Sequence, residues 1–322
     1  MEDNRKKVGF ELLLNNFKSS LGRMILVNLI FAVPLLISLV LVYYLCSLST
    51  QINLLPILMP LVFVLVSPFY AGVVVLCREY SQGIKPDNTL KTYFKAVKEN
   101  WKGFLLGGVL LYVAVVVCFF SIFIYLSMAE AFWFFYLLLF FSVLIAVFFL
   151  FMFYGVFLMT ASFDLKLKDV YKNSALMTFG EIKNNFFATI CVAALLSIVF
   201  FPIIVLFNLA GTIPVDLVEI LIYVYFLVVL GLLIPAPCSM IISYFLYPNM
   251  RAIIAGDTIV GENENAPAPD IKDVGQELKN DSSDSQVDIE SLLSGDEEEY
   301  IFYKGKMIKR KTLAQMLKES EE

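Results

Sequence analysis

The residues able to do chemistry in this sequence are few, and most stand inside long apolar runs. Asn28 sits about one helical turn inside the first run, where a side-chain amide needs an interhelical partner. It either glues helices together or lines a cavity, and bonds of the first kind are common between membrane helices. Pro34 in the first run and Pro202 in the fifth stand at nearly the same depth, and each frees a backbone carbonyl and bends its helix. The stretch Ser67-Pro68-Phe69-Tyr70-Ala71-Gly72, the stretch Phe153-Tyr154-Gly155 and the stretch Pro235-Ala236-Pro237-Cys238-Ser239 fall at matching depths of the second, fourth and sixth runs. Kinks and small residues at equal depth suit helices that pack around a common axis. They equally suit broken helices that offer carbonyls to a substrate, as in transporters.

Beyond these groups no catalytic set is recognisable. The 322 residues contain no histidine, which removes the commonest general base and the commonest metal ligand. A histidine-based triad is therefore impossible, and no Walker A loop, no Gly-x-Ser-x-Gly elbow and no Cys/His cluster of metal spacing occurs. Cys46, Cys77, Cys118, Cys191 and Cys238 lie in or at the ends of apolar runs, so no disulfide framework is expected. The runs hold no Lys or Arg and no acid near their centres, whereas an ion-driven pump normally needs buried acids. The expectation is a protein with no catalytic residues, no cofactor and no metal.

The elements that position these groups follow from composition. The chain is 59% hydrophobic and 16% charged, against about half and a quarter in an ordinary soluble domain. Six apolar runs of spanning length are present: Met24–Cys46, Ile52–Leu76, Gly103–Ser127, Ala131–Thr160, Phe186–Leu209 and Leu217–Tyr247. Basic residues gather before the first run, after the second and after the fourth. The loops near Ser49, Ala129 and Thr212 have none, so both termini are expected on the cytoplasmic side of a plasma membrane.

One unit recurs. Asn100-Trp101 is matched by Asn16-Phe17, 84 residues earlier, and by Asn185-Phe186, 85 residues later. Phe94 aligns with Phe10 and Phe179, and Val97 with Leu13 and Ile182. Leu90, Tyr93, Phe94, Val97 and Trp101 share one helical face, with Lys91, Lys95, Lys98 and Lys102 on the others. A basic amphipathic helix of this kind lies along a membrane surface before the chain turns and dives. Fixed-period similarity marks a repeated structural unit. The fold expected is all-α: a six-span transmembrane bundle of three repeats, at about 8–80, 90–163 and 169–250, each a cytoplasmic amphipathic surface helix followed by a two-span hairpin. The three copies could surround an axis along the membrane normal.

A transmembrane domain over residues 1–255 is followed by an acidic stretch, 256–299, with the composition of disorder. Residues 300–322 form a short basic element, with two β-favouring runs flanking Lys304-Gly305 and Thr312 opening a last helix. The expected partner is the lipid bilayer, its anionic headgroups facing the basic loops on the cytoplasmic side. No nucleic-acid partner is expected.

Asn28-Leu29 with Pro34, the Pro68-Phe69-Tyr70-Ala71-Gly72 stretch, the Arg78 to Gly83 exit of the second run and the helix Tyr93–Lys102 together resemble the YesL-like family of bacterial membrane proteins. The resemblance covers roughly residues 8–250 and leaves out the acidic tail. It implies a bacterial cell membrane and association with carbohydrate uptake, hence an accessory or regulatory subunit of a transport complex. A small-solute transporter that uses the three-repeat bundle as its path is the alternative expectation.

Overall fold

The computed structural model describes residues 9–48, 55–209, 221, 225, 229, 233–255, 300–303 and 306–321. Helix α1 runs Phe10–Ser47, α2 Leu55–Leu58, α3 Leu61–Ser81, α4 Thr89–Ala129, α5 Phe134–Ser162, α6 Leu167–Gly180, α7 Ile182–Leu209 and α8 Pro235–Ala255. Strands β1 (Tyr300–Tyr303) and β2 (Lys306–Lys309) precede α9, Arg310–Glu321. Among the described residues five helical segments are long and apolar enough to cross a bilayer: Phe10–Ser47, Leu55–Ser81, Thr89–Ala129, Phe134–Ser162 and Ile182–Pro202. The protein is a helical, multi-pass membrane protein. Residues 217–232 of the sixth apolar run, apart from 221, 225 and 229, and the acidic stretch 256–299 lie outside the described residues.

The amphipathic stretches of α1 and α4 are not separate surface helices. Residues 10–47 and 89–129 are each one unbroken helix, so the expected turn between surface and span does not occur. Nothing between Lys91 and Lys102 breaks the hydrogen-bond ladder, and the helix simply continues through the basic segment. At about 1.5 Å per residue, α4 is roughly twice as long as a bilayer core is thick. Only the third stretch is distinct: α6 ends at Gly180 and α7 starts at Ile182.

The turn between α3 and α4 shows how the ends are held. Gly83 has φ +77, and its N–H meets the Tyr80 carbonyl while Ile84 N–H meets that of Glu79. This closes the last turn of α3 with a left-handed residue that glycine adopts at no steric cost. Asn16 Nδ2 donates to Ser81 O at 3.0 Å, and Arg23 donates to Pro86 O at 2.9 Å. Asn88 then caps α4, its Oδ1 accepting from Lys91 N at 3.0 Å.

Helix α3 is the centre of the first compact unit, which comprises residues 1–161 and 166–246, and it packs on both α1 and α4. Val27, Phe31, Val73, Leu76, Tyr80, Tyr93, Ala236 and Met240 belong to its core. Gly72 lets α3 and α4 approach closely, since a Cβ there would fall 2.5 Å from the Tyr93 ring. The amphipathic face of α4 therefore divides. Tyr93 and Asn100 are buried, while Leu90, Phe94 and Trp101 stay exposed.

The second compact unit joins Ser162–Leu165 to residues 247–322. Strands β1 and β2 are antiparallel, with Tyr300 opposite Lys309 and Tyr303 opposite Lys306. Phe163 pairs in parallel with Met307, and Asp164 N–H donates to Met307 O at 3.1 Å. Phe163, Tyr247, Met307 and Leu313 are buried, with the Phe163 and Tyr247 rings 6.4 Å apart.

Candidate functional site

Pro68 has no N–H, so the carbonyl of Val64 loses its helical donor. Ser67 Oγ takes that place, donating to Val64 O at 2.9 Å. One turn on, Tyr93 donates its hydroxyl to Phe69 O at 2.8 Å. Ser67 also lies against the backbone of Gly108, where no larger residue fits.

Helix α8 begins inside the sixth apolar run, after a turn at Leu233 and Ile234. A helix start leaves its first N–H groups without partners. Pro235 and Pro237 have none to leave, and Cys238 N–H bonds back to Ile234 O at 3.1 Å. The remaining donor, Ala236 N–H, meets Asn28 Oδ1 at 2.8 Å. Cys77 Sγ donates to the carbonyl of the same residue at 3.2 Å. Ala236 is fully buried and tied from α1 and from α3 at once. The helix start that a transporter would point at an anion is thus closed by protein.

Beside this junction lies a cavity of about 360 Å³, walled by α1, α3, α4, α5 and α8 together with Ile234. Three of these helices present the same ladder to it. Val66, Tyr70 and Val74 come from α3, Leu150, Tyr154 and Leu158 from α5, and Pro235, Ser239 and Ser243 from α8. Each set is spaced i, i+4, i+8, one face of a helix. Corresponding members are 84 and 85 residues apart, the offsets that separate Asn16, Asn100 and Asn185. Aromatic rings close around Tyr70: Phe31 at 5.9 Å, Phe104 at 6.4 Å and Phe157 at 5.7 Å, the last nearly perpendicular. The Tyr70 and Cys77 side chains both lie near the Ser239 hydroxyl. Tyr154 has Thr189 Oγ1 at 3.5 Å.

Among the described residues no charged side chain lines the cavity. Its polar groups are hydroxyls, from Ser67, Tyr70, Tyr154, Ser239 and Ser243, set among apolar walls. Such a surface can hold an uncharged molecule by burial and one or two hydrogen bonds. Among the described residues no three metal-ligating side chains come together.

Of the residues singled out from the sequence, Ser67, Tyr70 and Tyr154 line the cavity. Asn28 stands one shell behind it, on Ala236. Pro34, Pro68 and Pro237 belong to lining helices without lining it themselves, and Pro202 lies on α7, which contributes nothing. Near Pro202, Tyr225 donates its hydroxyl to the carbonyl of Val199. Asn16, Asn100 and Asn185 are all buried, but their bonds differ. Asn16 reaches Ser81 O on α3, Asn185 reaches Met177 O on α6 at 3.4 Å, and Asn100 bonds one turn back to Ala96 O at 2.9 Å. Of the aromatics that follow them, Trp101 and Phe186 are exposed and Phe17 is half-buried on the core. Ser239 belongs to the Pro235–Ser239 stretch matched in depth to Tyr70 and Tyr154, whereas Ser243 was not foreseen, although the 84- and 85-residue offsets from Val74 point straight at it.

From sequence, Arg78 counted among the basic residues after the second run and within the Arg78 to Gly83 exit of the resemblance. It is 1% exposed, and its guanidinium donates to Ala161 O at 3.1 Å. Ala161 lies in the last turn of α5, where a cation complements the carbonyl end of the helix dipole. No family model, curated protein or solved structure matches the chain.

Proposed function

We propose that this is a non-enzymatic membrane subunit that serves a transport system as an accessory or regulatory component, in keeping with its YesL-like resemblance. The observation that carries the reading is the Asn28–Ala236 bond. It joins α1 to the start of α8 inside the sixth apolar run, and occupies the Ala236 N–H that a charged solute would need. Polar groups in the spans are satisfied by protein: Ser67 serves Val64 within α3, and Cys77 ties α3 to Ala236 on α8. The bundle is six spans in three repeats, with its basic loops and both termini in the cytoplasm and its basic stretches against anionic headgroups. The matched ladders on α3, α5 and α8 support the repeat. So does the exposure of the aligned residues Phe10, Phe94 and Phe179, at 59%, 56% and 69%. Purification from bacterial membranes in mild detergent is expected to co-isolate a transporter component at fixed stoichiometry. Repeated isolation of the chain alone would overturn the accessory role.

A second reading, a transporter of small uncharged solutes, is favoured by the cavity itself. Reconstituted vesicles would then show saturable uptake that Leu150→Trp blocks. Uptake no faster than in empty vesicles would reject it.

A further inference from the structure

The geometry points to the cavity as a binding site for an uncharged single-chain amphiphile, such as a long-chain alcohol or a monoacylglycerol, with its oxygen at the Tyr70–Ser239 pair. This goes beyond the accessory role and holds whether or not a partner is recovered.

Four features carry it. The volume of about 360 Å³ lies within the range of ligand pockets, roughly 300–1,000 Å³, and far exceeds a packing defect. The shape is that of a chain: ladders of i, i+4, i+8 on three helices extend it over roughly 12 Å along the helix axes, at 1.5 Å per residue. The walls are mostly apolar, which favours an apolar guest. Charge is disfavoured, because among the described residues no lining side chain could compensate a buried ion and Asn28 already occupies the Ala236 N–H. What remains for recognition is a small set of hydroxyls. Ser67 has given its proton to Val64 O, so Tyr70, Ser239, Tyr154 and Ser243 meet the ligand oxygen.

The test uses the full chain in phosphatidylcholine nanodiscs with a diazirine-labelled dodecanol, crosslinked sites being mapped by mass spectrometry. Labelling is expected on the segments that carry Tyr70, Leu150 and Ser239. Unlabelled monododecanoylglycerol should compete for it, and dodecyl sulfate should not. Leu150→Trp and, as a second filling variant, Val66→Phe should each cut that labelling at least about tenfold. Labelling at the outward-facing Val40 should stay unchanged and show that the variants are folded. Tyr70→Phe should weaken competition by the glycerol ester and leave competition by dodecane intact. Labelling confined to outward-facing residues, or undiminished in both filling variants, would overturn the site. Equal competition by dodecyl sulfate would overturn the preference for neutral ligands. Displacement by added phosphatidylcholine at the same concentration as by monododecanoylglycerol would assign the chain to bilayer lipid and overturn the single-chain assignment.

Discussion

Asn28 and Ala236 are 208 residues apart, and the side-chain oxygen of the first holds the backbone N–H of the second at 2.8 Å. Both are buried. Asn28→Leu leaves that N–H without an acceptor in an apolar setting, which costs about 1–3 kcal/mol. Asn28→Asp keeps an oxygen in place and should cost less. Thermal unfolding in detergent would rank the variants, and a Leu variant as stable as the parent would remove the bond from any structural role.

Gly72 faces the Tyr93 ring so closely that a methyl group has no room, with the nearest ring carbon 2.5 Å from an ideal Cβ. Gly72→Ala should therefore destabilise by about 1–3 kcal/mol through overpacking. Tyr93→Leu should relieve the clash, so the pair should cost less than the sum of the single changes. Additive losses in a double-mutant cycle would show that the two helices adjust independently.

Arg78 donates to the last turn of α5 from a fully buried position. Arg78→Met should lower stability by about 1–3 kcal/mol by leaving the Ala161 carbonyl unserved. Arg78→Lys should recover only part, because a compact ammonium lacks the planar fork of guanidinium. Full recovery by lysine would mean that charge alone matters there.

In the second unit, Asp164 N–H donates to Met307 O and Phe163 pairs with the same residue. Met307→Asp would place a charge in that small core and free the amide. Hydrogen exchange at Asp164 should accelerate by at least about tenfold, since exchange reports local opening. An unchanged rate would show that the strand pairing does not protect this amide.

Tyr171, on α6 outside the spanning segments, has a buried hydroxyl with no hydrogen-bond partner among the described residues. Burial pushes its pKa from 10.0 up to about 12. The folded state therefore holds this proton more tightly than the unfolded chain, and stability should fall as pH rises from 10 towards 12. Tyr171→Phe should remove that alkaline decline and add about 1 kcal/mol near neutrality. Identical alkaline melting curves for variant and parent would place the titration elsewhere.

Five of the six apolar runs coincide with helices of spanning length, because run length and charge are local properties. Asn28, Ser67, Tyr70 and Tyr154 stood out because polar groups are rare in such runs. Residues with ordinary jobs in other folds escaped notice. Ser243 looks like a small packing residue until its depth is matched to Val74. Arg78 looks like one more cytoplasmic charge until α5 is seen to end against it. The surface helices were misread in α1 and α4 because an amphipathic pattern reports faces and does not report where a helix stops.

By itself, the order of residues determined that this is a multi-pass helical membrane protein and which stretches are built to cross. Hydrophobic length and the absence of charge decide that without reference to any neighbour. Only the tertiary structure decided which faces meet. Helix α5 is apolar almost all the way round, so no stripe marks its inward side, and the cavity ladder appears only when α3, α5 and α8 come together. The same holds for Asn28 and Ala236, and for Phe163 and Met307. A single hydrogen-bonding group in an apolar setting must find a partner, but helix depth and rotation choose which one.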